Sequence, residues 1–148
     1  PILILIDRRI QLERLVSCVS KAAFRIMEQF WPGRVTLVFE AAGTVPHHLT
    51  AGTAKIGIRL PGHPVAAALV KSLGSPLTGT SANLSGRPGC RRIDDLDPQL
   101  NKQLDIVLDA GPLKGGIGST VVDVTQDMPR VIREGEISGK EILALSNR

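Results

Sequence analysis

The sequence predicts an α/β fold of the mixed, α+β-like kind, an open twisted sheet with flanking helices, in a single domain spanning residues 1–148. Two patterns carry that prediction. Short apolar runs rich in Val, Ile and Leu recur along the chain, and between them lie stretches whose apolar residues fall at three- and four-residue steps. The totals agree: 43% of residues are apolar, and the 15 glycines and 10 prolines are spread between the apolar runs. That distribution suits a folded domain with frequent turns and argues against disorder.

Each element has its own signal. Residues 2–6 (Ile-Leu-Ile-Leu-Ile) are apolar on both faces, as in a buried strand. Asp7 stands where an N-cap belongs. Leu12, Leu15, Val16, Val19, Ala23, Ile26, Met27 and Phe30 then mark one helical face, with a break expected at Ser17–Ser20. "WPGR" at 31–34 stops the helix, because Pro32 cannot continue it. Alternation over 34–40 predicts a strand, 41–54 a loop, and "KIGIRLP" a second alternating strand. Pro64 opens a helix that Gly74 closes. Pro76–Gly79 reads as a short strand, 94–104 as a helix and 105–111, "DIVLDAG", as a strand. "GGIGST" is a Gly-rich loop, Thr120–Val124 and Arg130–Arg133 are strands, and Ser138 to Glu141 has capping-box spacing before a last helix.

Composition limits the functions available. Eighteen basic against 14 acidic residues leave a net charge of +4, compatible with anionic ligands or RNA and diagnostic of neither. Cys18 and Cys90 form no CxxC pair, so neither a zinc site nor a disulfide framework is indicated, and a cytoplasmic location is expected. No apolar run approaches the ~20 residues that span a bilayer. His47 and His48 have no third ligand nearby.

Three segments could carry chemistry. "TSANLSG" at 80–86 offers hydroxyls on short stems, one carboxamide and closely approachable amides, a combination that cradles phosphates and also makes ordinary turns. "GGIGST" lacks the GK[ST] ending of a P-loop and the strand-to-helix context of a dinucleotide fingerprint. Arg59 lies mid-strand on the face opposite Ile56, Ile58 and Leu60. There its guanidinium either clamps a carboxylate or phosphate at two points or joins a surface ion pair. Arg133, at a strand end, has the same two readings.

Taken together, "WPGRVTLVF", "KIGIRLPGHPVAAAL", "PLTGTSANLSGRPG", "LDAG", "GSTVVDVT" and "RVIREGEI", in this order, resemble the YrdC-like family of threonylcarbamoyl-AMP synthases. The resemblance covers Pro1 to about Ile137 and implies the YrdC-like sheet. It also implies synthesis of threonylcarbamoyl-AMP and pyrophosphate from L-threonine, bicarbonate and ATP, for threonylcarbamoyladenosine modification of tRNA. Carried over by position, Arg59 matches the arginine that holds the threonine carboxylate, and Thr80 and Ser119 match further threonine-site residues. Ser81, Asn83, Arg133 and Lys55 match nucleotide positions. Mg²⁺ accompanies ATP as part of the substrate, with no tightly bound cofactor and no catalytic side chain. The partners implied are downstream threonylcarbamoyl transferase proteins and tRNA or double-stranded RNA, without a membrane.

The family's "PTDTVYGL"-like string and "KxR" stretch have no counterpart here. The domain is therefore expected to be incomplete at its N-terminus, with part of the pocket missing. Arg34 also stands where a Pro is usual. Two alternatives remain open at this level. One is a carbamoyl-adenylate-forming domain of the hydrogenase-maturation type, which would share the fold and the ATP site. The other is an RNA-binding module, against which the scarcity of aromatic residues counts.

Overall fold

The structure is a computed structural model that describes residues 2–87, 89–114 and 117–146. By contact density the chain forms two compact units, Pro1–Gly79 with Ile117–Arg148, and Thr80–Gly116.

The first unit holds a six-stranded sheet in the order β4-β1-β3-β2-β5-β6. Its strands are β1 (Leu3–Leu5), β2 (Val35–Glu40), β3 (Lys55–Arg59), β4 (Leu77–Gly79), β5 (Thr120–Asp123) and β6 (Arg130–Arg133). β1 runs parallel to β3, and β2 parallel to β5; the other three pairings are antiparallel. The sheet is mixed, as the sequence predicts.

Register divides the residues between two faces. Ile4 pairs with Ile58, Ile58 with Leu37, and Leu37 with Val122. All four are buried, and they form one core with Ala23, Ile26 and Met27 of α2 (Lys21–Phe30) and Ile142 of α6 (Gly139–Ser146). Because side chains alternate along a strand, the neighbours of these residues share the opposite face. They are Thr36 and Val38 on β2, Lys55, Gly57 and Arg59 on β3, and Val121 and Asp123 on β5. Polar residues therefore gather on one side of the sheet while the helices α2 and α6 cover the other.

The helices follow their sequence signals where capping chemistry is present. The break at Ser17–Ser20 separates α1 (Leu12–Leu15) from α2, and the Ser20 hydroxyl accepts from the Ala23 amide at 3.1 Å. α4 (Pro64–Leu73) opens on its proline and ends at Gly74 with φ 65°. Trp31, fully packed after α2, donates its indole N–H to the Val35 carbonyl at 2.7 Å.

Several expectations need correction. Asp7 is not an N-cap: its amide donates to Gln11, and a one-turn 3₁₀ helix (Arg9–Gln11) starts at Arg8 without a side-chain cap. The loop over 41–54 contains a single helical turn, α3 (His47–Thr50). At α6 the Gly139 amide is taken by the Glu134 carboxylate at 3.0 Å, a partner outside the Ser138–Glu141 spacing. Two of the Gly-rich loop's residues, Gly115 and Gly116, lie outside the described residues.

The second unit departs most. In place of one helix over 94–104 it has a 3₁₀ turn (Ile93–Asp95) and the short α5 (Pro98–Asn101), whose Asp97 caps the Gln99 amide. The strand expected over 105–111 is irregular, with Ile106 and Leu108 exposed. An apolar run becomes a strand only where a neighbour completes its ladder, and no described strand pairs with this segment. Asp109 instead accepts from the Gly111 amide at 2.8 Å, a local turn bond.

Candidate functional site

The polar face of the sheet has two ends. At one, Arg59 closes β3. Its Nε is buried and meets no acceptor among the described residues. Burial lowers its pKa from the ordinary arginine value, and the nearby charges of Arg34 and Arg133 lower it further. An arginine does not lose its proton in a protein. The shift therefore means that the charges of Arg34 and Arg133 act on a guanidinium drawn partly out of water, an arrangement an incoming anion relieves.

The chain builds this crowding deliberately. Gly33 donates to the Leu60 carbonyl at 2.9 Å and bridges to Pro61, which sets Arg34 beside the end of β3. A side chain at Gly33 would fall 2.3 Å from the Phe30 carbonyl oxygen, so only glycine fits this approach. Val121 pairs with Arg133, and a bulge between Val121 and Val122 re-aims the β6 strand there. One Arg133 nitrogen donates to the Ser119 carbonyl at 2.9 Å and lies 3.3 Å from its hydroxyl. The Ser119 hydroxyl in turn meets the Thr36 hydroxyl at 2.9 Å, and both residues are buried. Gly135 passes directly over Ser119, where an added Cβ would sit 2.3 Å from the Ser119 carbonyl carbon. That close pass returns Glu136 to the cluster, with its amide on the Gly118 carbonyl and its carboxylate paired with Arg34.

Of the residues marked in the sequence, Arg59, Ser119 and Arg133 thus stand together. Lys55 does not join them. It lies four residues along β3 from Arg59, about 13 Å away at ~3.3 Å per residue, and its ammonium holds Asp123 at 2.8 Å and Thr125 at 2.9 Å. Burial raises the Asp123 carboxyl, but the hydrogen bonds from Lys55 and Thr125 outweigh it and hold the group below its ordinary range.

Thr80, Ser81 and Asn83 belong to the second unit. Thr80 and Ser81 are exposed. The Asn83 side chain donates to the carbonyls of Leu84 at 2.9 Å and Arg87 at 2.8 Å, while its Oδ1 is buried with no partner among the described residues. Asn83 thus pins its own loop with one half of the amide and keeps an acceptor in reserve with the other. It borders a cleft of about 550 Å³ with Arg87, Arg91 and Asp94 along its rim. Among the described residues no group of three or more His, Cys, Asp or Glu is placed to hold a metal ion, and no helix is long and apolar enough to cross a membrane.

Comparison with known proteins decides the family. The profile Sua5_yciO_yrdC, described as "Telomere recombination", matches residues 1–135. The chain belongs to the Sua5/YciO/YrdC family. It is 34% identical over 146 residues to the threonylcarbamoyl-AMP synthase of Bacillus subtilis, covering 98% of this chain and 42% of that protein. It is 37% identical over 121 residues to the uncharacterized protein YciO of Escherichia coli, covering 80% of this chain and 58% of that one. The crystal structure of Pyrococcus abyssi Sua5 complexed with L-threonine superposes with a TM-score of 0.91 at 30% identity, over 98% of this chain and 43% of that one. The crystal structure of E. coli YciO gives 0.85 at 31% identity, over 96% and 69%. The chain therefore spans less than half the length of the B. subtilis synthase and of P. abyssi Sua5, and its six-stranded mixed sheet with flanking helices is the Sua5/YciO/YrdC fold.

Three residues of this cluster carry no site signal in the sequence: Arg34, Thr36 and Glu136. Arg34 was visible only as an unusual residue after "WPG". Thr36 shares its face with Arg59 only once the β2–β3 register is known, and Glu136 reaches the cluster only through the close pass at Gly135.

Proposed function

We propose that this chain carries the amino-acid and nucleotide pocket of a threonylcarbamoyl-AMP synthase. The observation that carries the reading is Arg59, a half-buried cation whose buried Nε has no partner among the described residues and which feels the charges of Arg34 and Arg133. Such a group suits a carboxylate, which accepts from a guanidinium at two points. The family relationship to the B. subtilis synthase and the fold shared with threonine-bound Sua5 support the same choice.

In this reading Arg59 takes the carboxylate of L-threonine, and the Ser119 hydroxyl, fixed by Thr36 and Arg133, lies along the same wall. The threonine amine and bicarbonate condense to a carbamate with loss of water. A carbamate oxygen then bonds to the α-phosphorus of ATP as the bond to pyrophosphate breaks. Arg133 offsets phosphate charge during this exchange, and Mg²⁺ enters on the ATP phosphates as part of the substrate. No covalent nucleophile is required. Positioning and charge neutralisation supply the rate. The product would serve tRNA modification.

The test is pyrophosphate release from the natural protein that contains this chain. Release that requires threonine, bicarbonate and ATP together supports the reading. Release indifferent to threonine, or no threonine binding by calorimetry, overturns it. The charges of Arg34 and Arg133 around the unmet Arg59 Nε also fit a second, broader reading, an anion-binding domain without threonine specificity. Equal affinity for L-threonine and for unrelated carboxylates would select it.

A further inference from the structure

We propose that Arg34 is a specificity-determining residue that makes this site select doubly charged anions, with Glu136 as its counter-ion while the site is empty. The inference rests on the site assignment above and concerns the charge of its ligand.

The named groups at the cluster are Arg34, Arg59, Arg133 and Glu136. With the carboxylate paired to Arg34, the remaining positive charge exceeds what one carboxylate neutralises. A single carboxylate on Arg59 would leave Arg133 facing Ser119 and Arg34 facing Glu136. A second negative charge on the same ligand competes with Glu136 for Arg34. The Arg34–Glu136 pair is suited to this exchange: both side chains are more than two-fifths exposed, at 41% and 44%, and exposed pairs contribute little to stability. The backbone beneath the pair is fixed, since the Arg34 carbonyl accepts from Thr120 at 3.0 Å and the Glu136 amide donates to Gly118 at 3.0 Å. Opening the Arg34–Glu136 pair therefore leaves the backbone of the sheet in place.

Two ligands carry the required charge, an amino-acid carbamate with its two carboxylates and a nucleotide phosphate. Succinate reproduces the carboxylate spacing of the carbamate, AMP supplies the phosphate, and L-threonine presents one carboxylate. The experiment is calorimetric titration of all three into the wild-type protein and the Arg34→Gln and Glu136→Gln variants. Removing one cation at near-contact range in a partly dry site should weaken the dianion by about tenfold, and L-threonine by less than about threefold. Glu136→Gln should act in the opposite direction and tighten dianion binding, an effect that a folding defect does not imitate.

A loss confined to succinate assigns Arg34 to the carbamate, and a loss confined to AMP assigns it to the phosphate. Equal losses for all three ligands, or none, overturn the proposal. Dianion binding that depends on Arg34 in a protein that ignores L-threonine would uphold it while removing the threonine reading. Threonine-dependent pyrophosphate release with an unchanged ligand ranking in Arg34→Gln would do the reverse.

Discussion

The two ends of β3 carry a cation on the same face of the same sheet, yet they differ in what those cations meet. Lys55 finds Asp123 and Thr125 within hydrogen-bond distance. Arg59 feels the charges of Arg34 and Arg133, and keeps a buried nitrogen without an acceptor among the described residues. A charge taken out of water costs free energy unless it is paired. The Lys55 end offsets that cost within the chain and behaves as structure. The Arg59 end leaves part of it standing, and a half-buried guanidinium with one nitrogen unmet among the described residues suits a group arranged for something that arrives from solution.

The largest effect should come from breaking the unbalanced end. Arg59→Met removes a two-point contact to a carboxylate and should cost roughly hundredfold in L-threonine affinity, since charge-assisted hydrogen bonds contribute about 1.5–3 kcal/mol each. The same change should raise the melting temperature, because it deletes a cation held between two others. Calorimetry and thermal unfolding on one preparation check both. A lower melting temperature with unchanged affinity would place Arg59 among ordinary structural residues.

Lys55→Met is the matching test at the balanced end, and its signs should be reversed. It strips Asp123 of its cation and should cost about 1–2 kcal/mol of stability, read as a shift in the urea midpoint. Ligand affinity should stay within twofold, because the change lies about 13 Å from Arg59 along the strand. A large loss of ATP affinity would instead support the nucleotide role that the family resemblance implies for Lys55.

Much of this contrast was legible in the sequence, and the illegible part has a physical cause. Alternation in "KIGIRLP" placed Arg59 on the face away from Ile56 and Ile58, and the sheet confirms that parity. Alternation cannot say which strand lies alongside, so it marks neither Thr36, on β2 beside β3, nor the pairing of Lys55 with Asp123 across the sheet. "DIVLDAG" failed for a related reason: its residues suit a strand, but strand formation depends on a neighbour the local sequence does not encode. Asn83 was half legible. Its place in a polar loop was plain, but the division of its amide between a turn and an open acceptor depended on where the Leu84 and Arg87 carbonyls fell.

Acid sharpens the same comparison. Asp123 has a lowered pKa in the folded protein, with Lys55 and Thr125 as the stabilising partners. Its contribution to stability is therefore complete above the ordinary carboxyl pKa of the unfolded chain, and is lost as pH falls through the lowered folded value. Urea midpoints measured between about pH 5 and pH 2 should fall less steeply in Asp123→Asn than in wild type. Identical slopes would mean that other carboxylates govern the acid limb.

The smallest effect concerns the buried hydroxyl pair that joins the site to the sheet. Thr36 and Ser119 lie 2.9 Å apart and are almost inaccessible. Thr36→Val keeps the shape of the side chain and removes its hydroxyl, leaving the Ser119 oxygen with Arg133 as its remaining neighbour. An unmade buried hydrogen bond costs about 1–3 kcal/mol, whereas removing both partners costs much less. Arg133 still serves Ser119, so the single variant should fall near the lower limit, about 1 kcal/mol. Thr36→Val combined with Ser119→Ala should cost less than the sum of the two single changes, a coupling that a double-mutant cycle reads directly. If the pair serves only to pack the sheet, that coupling appears in unfolding alone. If it orients Ser119 for a ligand held at Arg59, L-threonine affinity should fall about two- to threefold in Thr36→Val, the size expected when a loosened hydroxyl loses part of one neutral hydrogen bond. Strictly additive stabilities with unchanged affinity would show that the two hydroxyls are neighbours without being partners, and would leave Arg133 alone to hold Ser119 in place.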